Sequence, residues 1–276
     1  MAVSEVGSQT DHVTPRMRRY AFLILLGLLA CVSGCSQKPR AELVVGMELG
    51  YPPFEMTDEK GAPTGVSVDL ARALGKFLGR EVRIENVSFA GLIPSLKTGK
   101  IDLIISSMTA TPERAESIDF SDPYLKTGLC LLVGKNSTVQ SVVDLDQAGR
   151  KVAVKQGTTG QVYAAEHIKA ATVLVLDQES ACVLEVAQGK ADGFIYDQMS
   201  TYQNWQRNQD TTRPLLKPFK EESWAVGLRQ GNTELLEKVN AFLKDFKARK
   251  GFDELGERYL HDQKEAFRKL GLPFYF

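Results

Sequence analysis

Gly157-Thr158-Thr159-Gly160 opens a stretch with helical spacing, and Asp197 follows directly on the apolar run Gly193-Phe194-Ile195-Tyr196. Thr158 and Thr159 therefore fall at a predicted helix start, where unpaired backbone N–H groups and the helix dipole favour an anion. No Gly-Lys-Ser/Thr follows, so the segment does not read as a nucleotide phosphate loop. Asp197 sits where a helix N-cap belongs, and the same carboxylate can also face a cation. Nucleophilic catalysis has little to build on. The histidines are His12, His167 and His261, and no Ser-His-Asp or Cys-His arrangement is visible. The four cysteines form no C-x-x-C pair and no Cys/His cluster with zinc spacing, so neither a metal nor another cofactor is expected.

Elements must hold these residues in place, and the composition allows them. The chain has 276 residues, 43% of them apolar and 25% charged, enough for one large domain or two of ordinary size. Lys and Arg balance Asp and Glu at 34 each, so no basic field collects a phosphate backbone and nucleic acid is not expected as a partner. From Ala41 onward short apolar runs alternate with helical patterns, the signature of α/β architecture with largely parallel sheets. Strands are predicted at 43–46, 82–84 and 101–105, with a helix through Val66, Leu70, Ala73, Leu74 and Phe77 that stops at Gly79 and a shorter one at 92–96. A second series has strands at 129–133, 152–154, 173–176 and 193–195, with helices starting near Thr158, Glu179 and Asp197. Two such units imply two lobes. Beyond Asn232 the pattern is amphipathic helix, with Leu236, Val239, Phe242, Leu243 and Phe246 on one face.

The N-terminus departs from the rest. Arg16, Arg18 and Arg19 precede a twelve-residue apolar run, Ala21 to Val32, too short to span a bilayer as a stable helix and fitting the apolar core of a signal peptide. Val32-Ser33-Gly34-Cys35 follows and resembles the bacterial lipobox, which implies cleavage before Cys35 and a diacylglyceryl group on its thiol. Residues 1–34 are thus expected to be a signal peptide, with a start at Met17 giving a compact Met-Arg-Arg-Tyr before the apolar run, and residues 35–40 a lipidated tether.

Further along, Glu48 to Glu55 (ELGYPPFE), Gly65 to Leu70 (GVSVDL), Leu92 to Leu96 (LIPSL), Ser106 to Thr109 (SSMT) with Pro112-Glu113-Arg114, and Ile118 to Tyr124 (IDFSDPY) occur in an ordered series. Gln156-Gly157-Thr158-Thr159-Gly160 and Asp197 complete it. Each motif alone is weak. Together they resemble family 3 of the bacterial extracellular solute-binding proteins, the polar-amino-acid-binding proteins of ABC importers, from Ala41 to the C-terminus. The resemblance implies a two-lobed periplasmic-binding-protein-like fold of type II, closing on ligand about two crossing strands at Thr127–Val133 and Ser223–Leu228. Lobe 1 would comprise 41–126 and 223–276, and lobe 2 residues 127–222.

A free amino acid carries a carboxylate and an ammonium two bonds apart, so a specific site needs a guanidinium, hydroxyl or amide donors, and a carboxylate converging on one small volume. By the resemblance Arg114 takes the α-carboxylate, with Ser106, Ser107 and Thr109 as its neighbours, Thr158 and Thr159 face it from lobe 2, and Asp197 receives the ammonium. Read alone, Arg114 would be a surface arginine. Tyr51 and Phe89 match positions where rings flank the ligand side chain. Glu48 stands where the family usually has Asp and suits a cationic terminus, whereas Lys155 beside Gln156 resembles the glutamine binders and opposes one. A basic ligand then requires Lys155 to turn into solvent, and a Glu48–Lys155 pair would serve an uncharged amide as well. The expected ligand is arginine, lysine or histidine, with glutamine next. The expected function is an exported, lipid-anchored binding protein that serves an ABC permease and its ATPase without chemistry on the ligand. A few relatives of this fold are dehydratases, for which Glu48 or Glu222 could act as the acid, but the Arg114 and Asp197 pair favours a zwitterion. Cys130 and Cys182 read as two buried thiols, with a disulfide open to them in an oxidising compartment.

Overall fold

The computed structural model describes residues 42–272 and 274. Cys35, the apolar run and the tether lie outside the described residues. In chain order the first part forms β1 (Glu42–Met47), a small hairpin of β2 (Met56–Thr57) and β3 (Pro63–Thr64), α1 (Val66–Leu78), β4 (Glu81–Asn86), a 3-10 turn at Phe89–Gly91, α2 (Leu92–Lys97), β5 (Leu103–Ile104), α3 (Pro112–Ala115) and β6 (Ile118–Phe120). There follow β7 (Leu125–Gly134), α4 (Val142–Leu145), β8 (Lys151–Lys155), α5 (Thr159–His167), β9 (Thr172–Leu176), α6 (Glu179–Ala187), β10 (Gly193–Asp197), α7 (Gln198–Arg207) and β11 (Thr212–Trp224). The chain closes with β12 (Gly227–Arg229), α8 (Thr233–Ala248), α9 (Gly251–Tyr259) and α10 (His261–Lys269).

Two five-stranded sheets result, ordered β4-β1-β5-β12-β6 and β11-β7-β10-β8-β9. In the first sheet β4, β1, β5 and β6 run in one direction with β12 antiparallel between β5 and β6; in the second β9, β8 and β10 are mutually parallel, β7 is antiparallel to β10, and the edge strand β11 is antiparallel to β7. This is the two-lobed α/β arrangement that the alternating apolar and helical patterns imply. The three strands β1, β7 and β10 are almost wholly buried, which explains why they read as continuous apolar runs rather than as alternation. Helix α1 buries Val66, Leu70 and Leu74 along one side and stops at Gly79, whose φ of 65° is the left-handed conformation of a C-cap glycine.

Sequence and structure part company at three places. The ladder expected at 101–105 is formally only Leu103–Ile104, because the Asp102 carboxylate accepts the Val44 N–H at 3.0 Å and takes the place of a backbone partner. Of the thirteen-residue β11 only Ser223–Trp224 falls within an expected strand, the crossing strand Ser223–Leu228: Pro214, Pro218 and a run of charges hide the rest. A sheet edge tolerates these, and its pairing with β7 slips between Leu215 and Lys220. Finally, Thr127–Val133 lies wholly inside the second sheet. The chain passes between sheets at 121–124 and 225–226, which are tied by Ser121 N–H to Val226 O at 3.0 Å, Val226 N–H to Ser121 Oγ at 2.9 Å and Tyr124 N–H to Trp224 O at 2.9 Å. Among the described residues no helix is long and apolar enough to cross a membrane.

Candidate functional site

The strand ends of both sheets converge on a cleft lined from both sides, by Glu48, Tyr51, Ser107 and Arg114 on one and by Thr158, Thr159 and Asp197 on the other. The positions follow from local structure. Glu48 leaves β1, and its backbone N–H donates to Ser106 Oγ at 3.0 Å. Ser107 adopts a left-handed φ of 50° and donates to Glu55. Met108–Ala110 pairs with Ser223–Ala225, which sets Thr109 beside the end of β11. Arg114 projects from α3, a single turn capped by the Thr111 hydroxyl. Across the cleft, Thr158 caps α5, accepting from Gln161 N–H, and Asp197 caps α7, accepting from Ser200 N–H at 3.0 Å. The Asp197 cap expected from sequence and its place in the cleft coexist.

Four polar links cross the cleft. The Arg114 guanidinium donates to Thr109 O at 2.7 Å on its own side and to Gly157 O at 2.9 Å on the other. Tyr51 donates its hydroxyl to Asp197 Oδ1 at 2.7 Å. Lys155 donates to Glu48. Thr109 and Thr159, from opposite sides, both donate to Glu222 Oε2, at 3.1 and 3.0 Å. Close approach is possible because Gly157 has a φ of 77° and no side chain: a Cβ there would stand 3.0 Å from Ala90. Arg114 and Lys155 both lie over the half-buried ring of Phe89, with charge-to-centroid distances of 5.5 and 5.6 Å.

Electrostatics follow from burial. Arg114 is lowered to about 10 by burial, with Glu222 and Glu113 opposing, and stays cationic at neutral pH. Burial raises Asp197 from its ordinary value against the hydrogen bond from Tyr51. It raises Glu222 against the bonds from Thr159 and Thr109. Glu55, fully buried between the Ser67 and Ser107 hydroxyls, is pushed up to about 8 by burial. Behind Asp197, burial lifts Glu179 to about 7 although Ser200 and Asn204 donate to it. The hydroxyls of Ser107, Thr109, Thr158 and Thr159 are all committed to protein acceptors, the Thr158 hydroxyl donating to Lys155 O. An anion in this cleft is therefore left to the remaining guanidinium N–H groups of Arg114 and to backbone N–H groups, rather than to the hydroxyls that the sequence offered.

Of the residues singled out by sequence, Glu48, Tyr51, Phe89, Ser106, Ser107, Thr109, Arg114, Thr158, Thr159 and Asp197 line the cleft. Lys155 stands just behind this lining, 3% exposed and paired with Glu48, not turned into solvent. Gln156 lies outside the site: it is exposed, and its N–H extends the β8–β9 ladder to Leu176 O. Glu55, Tyr196 and Trp224 line the cleft without having been anticipated, and Glu222 does so although sequence offered it only as the acid of a dehydratase. Glu55 was legible in principle, as a charge inside the apolar Tyr-Pro-Pro-Phe-Glu run. Cys130 and Cys182 are free and buried, and burial pushes the Cys182 thiol up to about 12. Among the described residues no group of three or more His, Cys, Asp or Glu could hold a metal ion.

With this geometry in hand, the chain can be set beside known proteins. The family model of the bacterial extracellular solute-binding proteins, family 3, matches residues 43–262. The L-cystine-binding protein TcyJ of Escherichia coli strain K12 is 30% identical over 224 residues, which cover 80% of this chain and 84% of that protein. A binding component of an ABC transporter from Wolinella succinogenes, solved in complex with lysine, superposes with a TM-score of 0.76 at 38% identity, covering 82% of this chain and 98% of that one. The ancestral amino acid-binding protein AncCDT-1, a precursor of cyclohexadienyl dehydratase, gives a TM-score of 0.74 at 36% identity, with 80% and 96% covered.

Proposed function

Given that this chain belongs to family 3 of the bacterial extracellular solute-binding proteins, we propose that it captures a free polar amino acid, a basic one first, outside the cytoplasmic membrane and hands it to an ABC import permease. One observation carries this reading. The cleft presents three carboxylates, Glu48, Asp197 and Glu222, against the single guanidinium of Arg114, with the carboxyl of Glu55 held mostly protonated at neutral pH by burial, and Lys155 behind the lining pairs with Glu48. Such a cavity takes one carboxylate and more than one positive charge, as an amino acid with a cationic side chain supplies. Arg114 and backbone N–H groups take the α-carboxylate, Asp197 takes the ammonium, and Tyr51 and Phe89 flank the side chain. The ligand leaves unchanged. The polar groups of the cleft suit charge at both ends of a zwitterion.

Glutamine is the second reading, favoured by the burial of Lys155 against Glu48. A neutralised pair at the far end of the cleft offers an amide both a donor and an acceptor. For a basic ligand the cationic head must instead compete with Lys155 for Glu48. A competition assay with L-arginine and L-glutamine separates the two. If the ligand is basic, Glu48→Gln weakens arginine by about 10- to 150-fold, the worth of a charged hydrogen bond, and Lys155→Ala strengthens it by freeing Glu48. If glutamine wins in the wild type and Lys155→Ala weakens it, the basic reading fails.

Attachment to the membrane rests on Cys35 and the apolar run before it. Cys35→Ser is expected to release the protein from the membrane fraction or to leave an uncleaved precursor. Wild-type processing and membrane association in that variant would rule the lipid anchor out.

A further inference from the structure

Glu222 stands at the end of β11, on the strand that leads back to the first sheet, and the residue is only 8% exposed. One oxygen, Oε2, accepts the hydroxyls of Thr109 and Thr159 from the two sides of the cleft. The other, Oε1, is buried with no hydrogen-bond partner, in a residue that lines the cleft together with Asp197 and Arg114. A buried carboxylate oxygen without a donor is costly, about 1–3 kcal/mol and more for a charged group, so its lack of a partner marks a place that a donor is meant to fill.

The threonines sharpen the chemistry of that donor. Because each gives its hydroxyl proton to Glu222, only hydroxyl lone pairs remain for the cleft. Lone pairs of Thr109 and Thr159, the free Oε1 of Glu222 and the carboxylate of Asp197 make a set composed of acceptors. Such a set repels a carboxylate and suits an ammonium, whose three N–H groups are all donors.

We propose that Glu222 is a second ligand-binding carboxylate, which receives the α-ammonium of the bound amino acid through Oε1 while it turns the hydroxyl protons of Thr109 and Thr159 away from the ligand. The proposal rests on the amino-acid reading above and adds to it a residue that sets the preference for a free α-amino group. Asp197 and Glu222 then share one cation, and the link from Glu222 to Thr109 across the cleft helps draw the two sides together around it.

Calorimetry with the purified protein tests this on two pairs of probes: L-arginine with 5-guanidinopentanoate, which lacks only the α-amino group, and L-glutamine with its des-amino counterpart. Glu222→Gln keeps the shape and an acceptor for the threonines. It is expected to weaken whichever amino acid the wild type binds by about 10- to 150-fold, the range of a charged hydrogen bond, and to leave the des-amino partner within about twofold. Glu222→Asp, which retains the charge on a shorter arm, is expected to show the same selectivity with a smaller factor, and it decides the question if the glutamine variant does not fold. Equal weakening of both members of a pair would assign Glu222 a purely structural role and overturn the proposal. So would unchanged affinity for the amino acid. Wild-type protein that binds no amino acid would instead overturn the parent reading.

Discussion

Replacing Arg114 by alanine is expected to abolish measurable amino-acid binding. The guanidinium is half-buried, carries its charge at neutral pH, and ties Thr109 O to Gly157 O across the cleft with two of its five N–H donors. The remaining donors form the only cationic group lining the cleft among the described residues. A bound α-carboxylate would lose its bidentate partner, and closure would lose a link between the two sides. Truncating one member of such a desolvated pair typically costs about 2–5 kcal/mol, roughly 30- to several-thousand-fold in affinity. Arg114→Lys is expected to recover only part of this, because a point charge cannot reproduce the planar fork. Calorimetric titration with L-arginine and L-glutamine checks the result, and an alanine variant with wild-type affinity would remove Arg114 from the site.

Asp197→Asn is expected to weaken binding by a comparable factor, about 2–5 kcal/mol, without loss of the fold. Asparagine caps a helix about as well as aspartate, and its carbonyl oxygen can still accept from Ser200 N–H and from the Tyr51 hydroxyl. What the substitution removes is the negative charge that receives the ammonium. The same assignment predicts a pH dependence. Burial raises the Asp197 carboxyl above its ordinary value. The ionised form binds the ammonium, so affinity should fall on acidification at a higher pH than an exposed aspartate would give, and the asparagine variant should lack that limb. Unfolding midpoints of the free variants separate a binding defect from a folding one. An unchanged affinity and pH profile would show that Asp197 serves only as a helix cap.

Much of this architecture could be read from sequence because strands buried on both faces leave continuous apolar runs, and β1, β7, β8 and β10 are of that kind. Thr158 and Asp197 were legible as helix starts because a capping side chain must be Ser, Thr, Asp or Asn. The rest depends on contacts between distant segments. Nothing local marks β11 as a strand, since an edge position excuses its prolines and charges, and Glu222 reaches the cleft only because that strand leads between the sheets. Gln156 and Lys155 are neighbours with opposite fates: at the end of β8 successive side chains point to opposite faces, so Lys155 is buried while Gln156 is exposed. Which of the two faced the ligand could not be decided without the register of the sheet. Hydroxyl direction was equally hidden, and it turns Thr109 and Thr159 from donors toward an anion into acceptors toward a cation.

The measurement that bears most directly on the central claim is a calorimetric titration of the purified protein with each of the twenty L-amino acids. One saturable site is predicted, occupied by a basic amino acid, with arginine or lysine ahead of glutamine and the acidic amino acids excluded by Glu48, Asp197 and Glu222 in the cleft. No heat and no saturation with any of the twenty, or a preference for glutamate or aspartate, would contradict the account.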